Sequence, residues 1–462
     1  MRTSPGRQLI GVACVLMSTA STAYAQRTQL DSMVRDTTLE NGLQVIVVRN
    51  ATIPFVTLEM VFKAGAFVQQ VPEYAGLPHL IEHMLFRSDG EGAFAQEADE
   101  IDAQWNGTTG TESVRYFLTF PAKHFAKGVE LLNKLVRKPD FTELGIERER
   151  RVVQGELERR ASDPDLLLMT EADILLWGDQ GFITKNPGGN ILALNAATPA
   201  RLDELYRKFY VPNNAALVIA GDVSASTAFA VAAKAFKGWK RGDDPLASLK
   251  PSQIAPLTGM KKKIVSAEVK DVTFLVRWQG PSVRQNVAST YAADVFAGLV
   301  NQRISSTQRR LVDGGLLDDV SFSYETRNNV GPIQLIARTS AERAAAAASA
   351  LGEELLEFTK PDYFDADDLG LAKKWQRVSA HYRLERSASA SSSIAEFWSS
   401  AGLGYFMDYS DRLDAQSAAD VRRFTTEYLS GKPMAIIVRV SPEAWTKIGV
   451  PLQRSIATWR IP

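Results

Sequence analysis

Two stretches decide the fold: Tyr206–Ser224, "YRKFYVPNNAALVIAGDVS", and Phe424–Ser441, "FTTEYLSGKPMAIIVRVS". In each, a helical segment bearing aromatic residues ends at a Tyr, a turn follows, and an apolar run comes next. Tyr210 then corresponds to Tyr428, and Val218-Ile219 to Ile436-Ile437, at an offset of about 218 residues. Runs like these read as buried strands. Meeting the unit twice, about half a chain apart, predicts an internal duplication. The bland alternative is that any helix–turn–strand unit has this look.

The segments around the echo mix both element types. Leu43–Asn50, Phe55–Gly65 and Val114–Phe120 read as strands, the first two entered through Asn41-Gly42 and Pro54. Asp140–Ala161 reads as a charge-rich helix, with Asp140 and Glu143 as a capping box. Ala341–Phe358 is a further helix, and the Ser-rich Arg386–Trp398 reads as a loop or helix start. Lys237–Gly259 holds three prolines and little apolar periodicity, which marks a linker. The expectation is an α+β protein with a first half over 26–240, a linker over 241–258 and a second half over 259–462.

Composition excludes some classes. With 45% apolar and 23% charged residues the chain is ordinary globular material. Its net charge of zero gives no reason to expect nucleic acid or an anionic membrane as a partner. Residues 1–25 read as a cleavable signal peptide: Arg2 and Arg7, an apolar core over Leu9–Leu16, and Ala23-Tyr24-Ala25 before the cut. Cleavage there also removes Cys14, the only cysteine, and a thiol-free chain suits the bacterial periplasm. No other segment reads as a membrane span.

Chemistry concentrates in Gly76–Phe86, "GLPHLIEHMLF", which holds two of the four histidines. On a helix His79 and His83, four apart, share a face and can converge on one ion, with Glu82 beside them. Imidazole and carboxylate are the ligands of a catalytic zinc, which keeps one position open for water. A neighbouring carboxylate can take the water's proton and return it to a leaving amine. A third protein ligand is required. His124 and His381 lack helpful neighbours. Glu149 and Glu156, seven apart on the Asp140–Ala161 helix, share a face with Val152 and Val153 between them, whereas Glu147 and Glu158 sit among arginines and suit a solvated face. Residue pattern alone leaves that helix divided between a site and a charged surface.

These motifs resemble the pitrilysin-like, inverted-motif zinc peptidases, including bacterial members of about this length related to the mitochondrial processing peptidase. Thr38–Val48 is similar to the family's opening strands, Gly76–Phe86 to its zinc helix with Pro78 at a position often occupied by Ala, Asn106–Phe117 to its Asn-Ala-x-Thr segment with Gly107 in place of Ala, and Glu147–Arg160 to the helix of the distal ligand. The resemblance implies two homologous α/β rolls forming a clamshell chamber. It implies one zinc per chain on His79, His83 and Glu156, with Glu82 as general base. Glu149 would orient a ligand histidine, and Asn106, Thr109 and Tyr116 would lie near a peptide substrate bound as an added strand. The pattern departs from the family's at one place. Many members carry an Arg followed seven residues later by a Tyr in the second half, and Arg309–Phe322 has no Tyr in that register. That implies a homologous partner subunit, in a heterodimer or homodimer, supplying the missing groups. The competing expectation is a binding or assembly subunit without turnover.

Overall fold

The computed structural model describes residues 30, 32–87, 92–250 and 254–462. The expected signal peptide lies outside the described residues.

The first half runs β1 (Val34–Thr38), β2 (Gln44–Arg49), β3 (Phe55–Phe62), α1 (Leu77–Leu85), α2 (Ala93–Asp99), β4 (Gln104–Thr109), β5 (Val114–Pro121), α3 (Phe125–Arg137), α4 (Glu143–Ser162), α5 (Pro164–Ile183), α6 (Ile191–Asn195), α7 (Pro199–Phe209), β6 (Ala215–Gly221) and α8 (Ala225–Phe236). The second runs β7 (Lys261–Ser266), β8 (Val272–Gln279), α9 (Val283–Asn301), β9 (Asp319–Tyr324), β10 (Pro332–Thr339), α10 (Ala344–Glu357), α11 (Ala366–Glu385), α12 (Ser387–Ser400), α13 (Leu403–Asp414), α14 (Ala418–Tyr428), β11 (Ala435–Val440) and α15 (Pro442–Ala457). Among the described residues, no helix is long and apolar enough to cross a membrane.

The strands form two open sheets, ordered β1-β2-β6-β3-β5-β4 and β7-β11-β8-β10-β9. Without β1 the two orders are the same. Each has one parallel pair, β2 with β6 and β7 with β11, and is otherwise antiparallel. The echoed residues hold equivalent places: Val218 pairs with Glu59 on β3, and Ile436 with Val276 on β8. Both β6 and β11 are buried along their whole length, which is why β6 is an unbroken apolar run and β11 departs from one only at Arg439, whose guanidinium is paired with Asp165 and Asp271. The chain is thus two homologous α+β halves.

Each half lends a helix to the other's sheet. From the second half, α12 lays Ala390, Ile394, Ala395 and Trp398 on Ile46, Val61 and Val218 of the first sheet. Its Ser391 hydroxyl donates to the buried Glu59, and Trp398 Nε1 donates to Gln44 at 2.7 Å. In return α5 lays Leu168 and Ala172 on Leu275 and Ile437, and its Asp173 and Asp165 pair with Arg277 and Arg439 of the second sheet. The β4–β5 and β9–β10 turns also meet, the Glu112 carboxylate accepting the amides of Asn328 at 2.9 Å and Asn329 at 3.3 Å.

Two local expectations are settled. Of the two readings of Arg386–Trp398, loop or helix start, the structure has the second: α12 begins at Ser387, and its small side chains let it sit close against the sheet. The cap of α4 is Thr142 rather than Asp140, its hydroxyl accepting the Gly145 amide at 3.2 Å.

Candidate metal centre

Gly76, at φ 88°, turns the chain into α1 in a conformation that favours glycine. Pro78 follows in the first turn, where a missing N–H costs little. Leu77, Leu80, Ile81, Met84 and Leu85 bury one side of α1 in the core. That anchors the helix and turns His79, Glu82 and His83 into a cleft of about 570 Å³. On α4, Ile146 and Val153 are buried on the same side as Glu149, which aims Glu149 and Glu156 at the histidines. Val153 is buried, whereas Val152 beside it is 42% exposed on the cleft wall.

One ligand atom each from His79, His83 and Glu156 lies within 4.8 Å of the other two. The two Nε2 atoms are 3.3 Å apart, and Glu156 Oε2 is 3.5 Å from His79 and 3.6 Å from His83. Zinc bonds of about 2.0–2.2 Å at tetrahedral angles put ligand atoms roughly 3.3–3.6 Å apart. The donor set therefore fits zinc in chemistry and in spacing.

Neighbouring groups orient the ligands. Glu149 Oε2 lies 3.3 Å from His83 Nδ1, and Arg87 Nε is 3.0 Å from the other Glu149 oxygen. A carboxylate behind a metal histidine fixes its tautomer and raises its basicity. His79 Nδ1 is buried with no such partner among the described residues. Burial, with the charges of His83 and Arg160, pulls the His79 imidazole down to about 3, so its ring is neutral and presents a lone pair. Burial also pulls on His83, but the Glu149 hydrogen bond and the charges of Glu82 and Glu156 outweigh it and raise its pKa.

Glu82 is 7% exposed. Burial raises its pKa, opposed by the Thr109 hydroxyl, which donates to Oε2 at 2.8 Å, and by the charge of His83. A carboxyl held readier to accept a proton suits a general base.

Of the residues expected near substrate, Asn106 and Thr109 line the cleft. Tyr116 does not. It is 0% exposed, packed edge-on and tilted among Phe62, Phe86 and Tyr210, with its hydroxyl 2.9 Å from that of Tyr210. His124 begins α3 and His381 lines a separate cavity. Sequence reading missed Arg87 and Arg160, each four residues beyond a ligand, at His83 and Glu156, which is the signal that could have found them. Every residue lining the cleft falls between His79 and Arg160. From the second half, Tyr324 is buried with its hydroxyl on the Pro281 carbonyl, and Arg310 pairs with Glu354.

Comparison with known proteins agrees with this geometry. A family profile described as insulinase (peptidase family M16) matches residues 44–173, and one described as the peptidase M16 inactive domain matches residues 196–374. A zinc protease of Helicobacter pylori, PqqE, is 22% identical over 437 residues, covering 91% of this chain and 96% of that one. The crystal structure of a protease from Helicobacter pylori overlays with a TM-score of 0.76 at 21% identity, over 88% of this chain and 99% of that one. The periplasmic protease PqqL of Escherichia coli overlays with a TM-score of 0.74 at 18% identity. It covers 92% of this chain, which spans only 50% of that protein's length.

Proposed function

This chain belongs to the pitrilysin-like M16 peptidase family, and from that premise we propose that it is a zinc-dependent endopeptidase of the periplasm acting on peptides or unfolded segments. The observation that carries the reading is the set of three ligand atoms at tetrahedral edge lengths beside the buried Glu82.

His79, His83 and Glu156 hold the metal, and Glu149 keeps the His83 ring in its ligating tautomer. Zinc, when bound, polarises the scissile carbonyl and acidifies a water. Glu82 takes the proton of that water and returns it to the leaving amine. Substrate lies as an extra strand along β4, which ends its sheet and pairs only with β5. Asn106, exposed on β4, meets it there. The periplasmic assignment rests on the leader-like residues 1–25 and on the periplasmic location of the Escherichia coli relative. A homologous second subunit would supply the Arg and Tyr that Arg309–Phe322 lacks in register.

The other reading, a subunit without turnover, draws on the inactive-domain match. That match spans residues 196–374 and so contains none of the four site residues. The test is Glu82→Gln. We expect full zinc content and a loss of peptide hydrolysis on the order of 10²–10⁴-fold. Hydrolysis at the parent rate would sink the mechanism, and a parent that binds zinc but cleaves nothing, with or without a homologous subunit, would favour the binding subunit.

A further inference from the structure

The strand that borders the cleft also touches the base. Along β4 the side chains alternate: Gln104, Asn106 and Thr108 are exposed, while Trp105, Gly107 and Thr109 turn inward towards α1. Trp105 packs on Phe86 with ring centres 4.8 Å apart, at the end of α1. Thr109 donates its hydroxyl to Glu82 Oε2 at 2.8 Å. Gly107, between them, lies directly under the Glu82 side chain. A Cβ there would come within 2.8 Å of Glu82 Cδ and 2.9 Å of Cγ, and closer still to Oε1. The backbone of Gly107 does not require glycine, since its φ lies outside the left-handed region. In this chain the Glu82 side chain occupies the space that a Cβ at Gly107 would take, so an added methyl would have to displace it.

We infer that Gly107 and Thr109 are positioning residues that seat the Glu82 carboxylate, Gly107 by leaving room and Thr109 by holding one oxygen. The inference rests on the reading of Glu82 as the base. It gives Thr109 a role different from the substrate contact implied by resemblance. A Glu has three side-chain torsions, and a base displaced by an ångström loses much of its effect. Burial alone does not choose among its rotamers. A hydroxyl donor on one side and an absent Cβ on the other do. Both devices sit on the strand along which substrate would lie, so the base and the substrate are placed by one element.

Two measurements test the seat. The first needs neither zinc nor activity. Gly107→Ala should lower the Tm of the metal-free protein by about 2 °C or more, and the same change made in Glu82→Ala should cost nothing further, because the carboxylate that collides is gone. Equal losses in both backgrounds would overturn the seat. The second uses the zinc-loaded protein. Thr109→Val should cut kcat about 10-fold at unchanged KM and zinc content, and Thr109→Ser should restore it. A raised KM at unchanged kcat would make Thr109 a substrate contact and overturn its role as a positioning residue. A parent without any peptidase activity would defeat the functional reading while leaving the first measurement decisive for the geometry.

Discussion

The two halves share a strand order and, α2 apart, a helix order, yet among the described residues only the first carries a cluster of metal-ligand type. In the first, α1 and α4 face each other through His83 and Glu149, 3.3 Å apart, with His79 and Glu156 alongside. In the second, α9 and α11 hold the same places in element order, and they meet at Gly298 and Ala372, where a Cβ on Gly298 would lie 3.2 Å from the Ala372 Cβ. One helix pair is held apart by long polar side chains, and the other has closed until only a glycine fits. The scaffold therefore demands two crossed helices at each place and is indifferent to what fills the crossing. Chemistry arises where the crossing leaves polar atoms that the protein itself does not satisfy well.

The largest expected effect tests that asymmetry directly. His83→Ala should leave the fold in place, since the core side of α1 is untouched, but reduce bound zinc to near zero and peptide hydrolysis on the order of 10³-fold or more. Metal analysis with circular dichroism checks both halves of that statement. Retention of one zinc by the variant would mean that the metal sits elsewhere.

Much of this was legible in the sequence. The HLIEH spacing and the heptad separation of Glu149 and Glu156 survive translation into structure because helical periodicity is rigid. The echo between Tyr206–Ser224 and Phe424–Ser441 was legible because a strand buried on both faces tolerates little but apolar residues. The correspondence of α1 with α9 was not, because no ligand remains in α9 to mark it. Nor was α12, whose serines are set by what they pack against rather than by propensity. Tyr116 is a different case: the alternation of Val114, Tyr116, Leu118 and Phe120 places it on the core face of β5, and the motif obscured a pattern that was readable.

A second effect belongs to the half without ligands. Asp294 on α9 is half-buried, with its carboxylate accepting from the Tyr409 hydroxyl at 2.7 Å. Burial pushes it up to about 7, against the pull of Tyr409 and of the Arg383 charge. The sign follows from proton linkage. An acid raised in the folded state binds its proton more tightly there than in the unfolded chain, whose value is near 3.8. Its cost to stability is absent below about pH 4, grows as pH rises, and is complete above about 7. Asp294→Asn should therefore stabilise the protein at pH 8 by on the order of 2–4 kcal/mol and do little at pH 4. Urea unfolding at the two pH values is the measurement. An equal change at both would show that the carboxyl is not raised.

The smallest effect compares two helix glycines, one on a helix of each crossing. Gly298 on α9 has the Ala372 Cβ and carbonyl oxygen 3.2 Å from where its own Cβ would stand, a separation at which a neighbour must give by a few tenths of an ångström. Those neighbours belong to the packed helix α11 and cannot swing aside, so Gly298→Ala should destabilise by about 1–3 kcal/mol. Gly155 on α4 is one residue from the ligand Glu156, yet nothing stands within 4 Å of where its Cβ would be. There the methyl meets only solvent, and the change should stabilise by roughly 0.4–1 kcal/mol through the unfolded chain's lost freedom. Opposite signs for the same substitution would follow from the crossing alone: closed on glycine in the second half, propped open by imidazole and carboxylate in the first. Equal signs would mean that α4 packs against something that reaches into the cleft, and a destabilised Gly155→Ala whose loss grows with protein concentration would point to a partner subunit seated on that face.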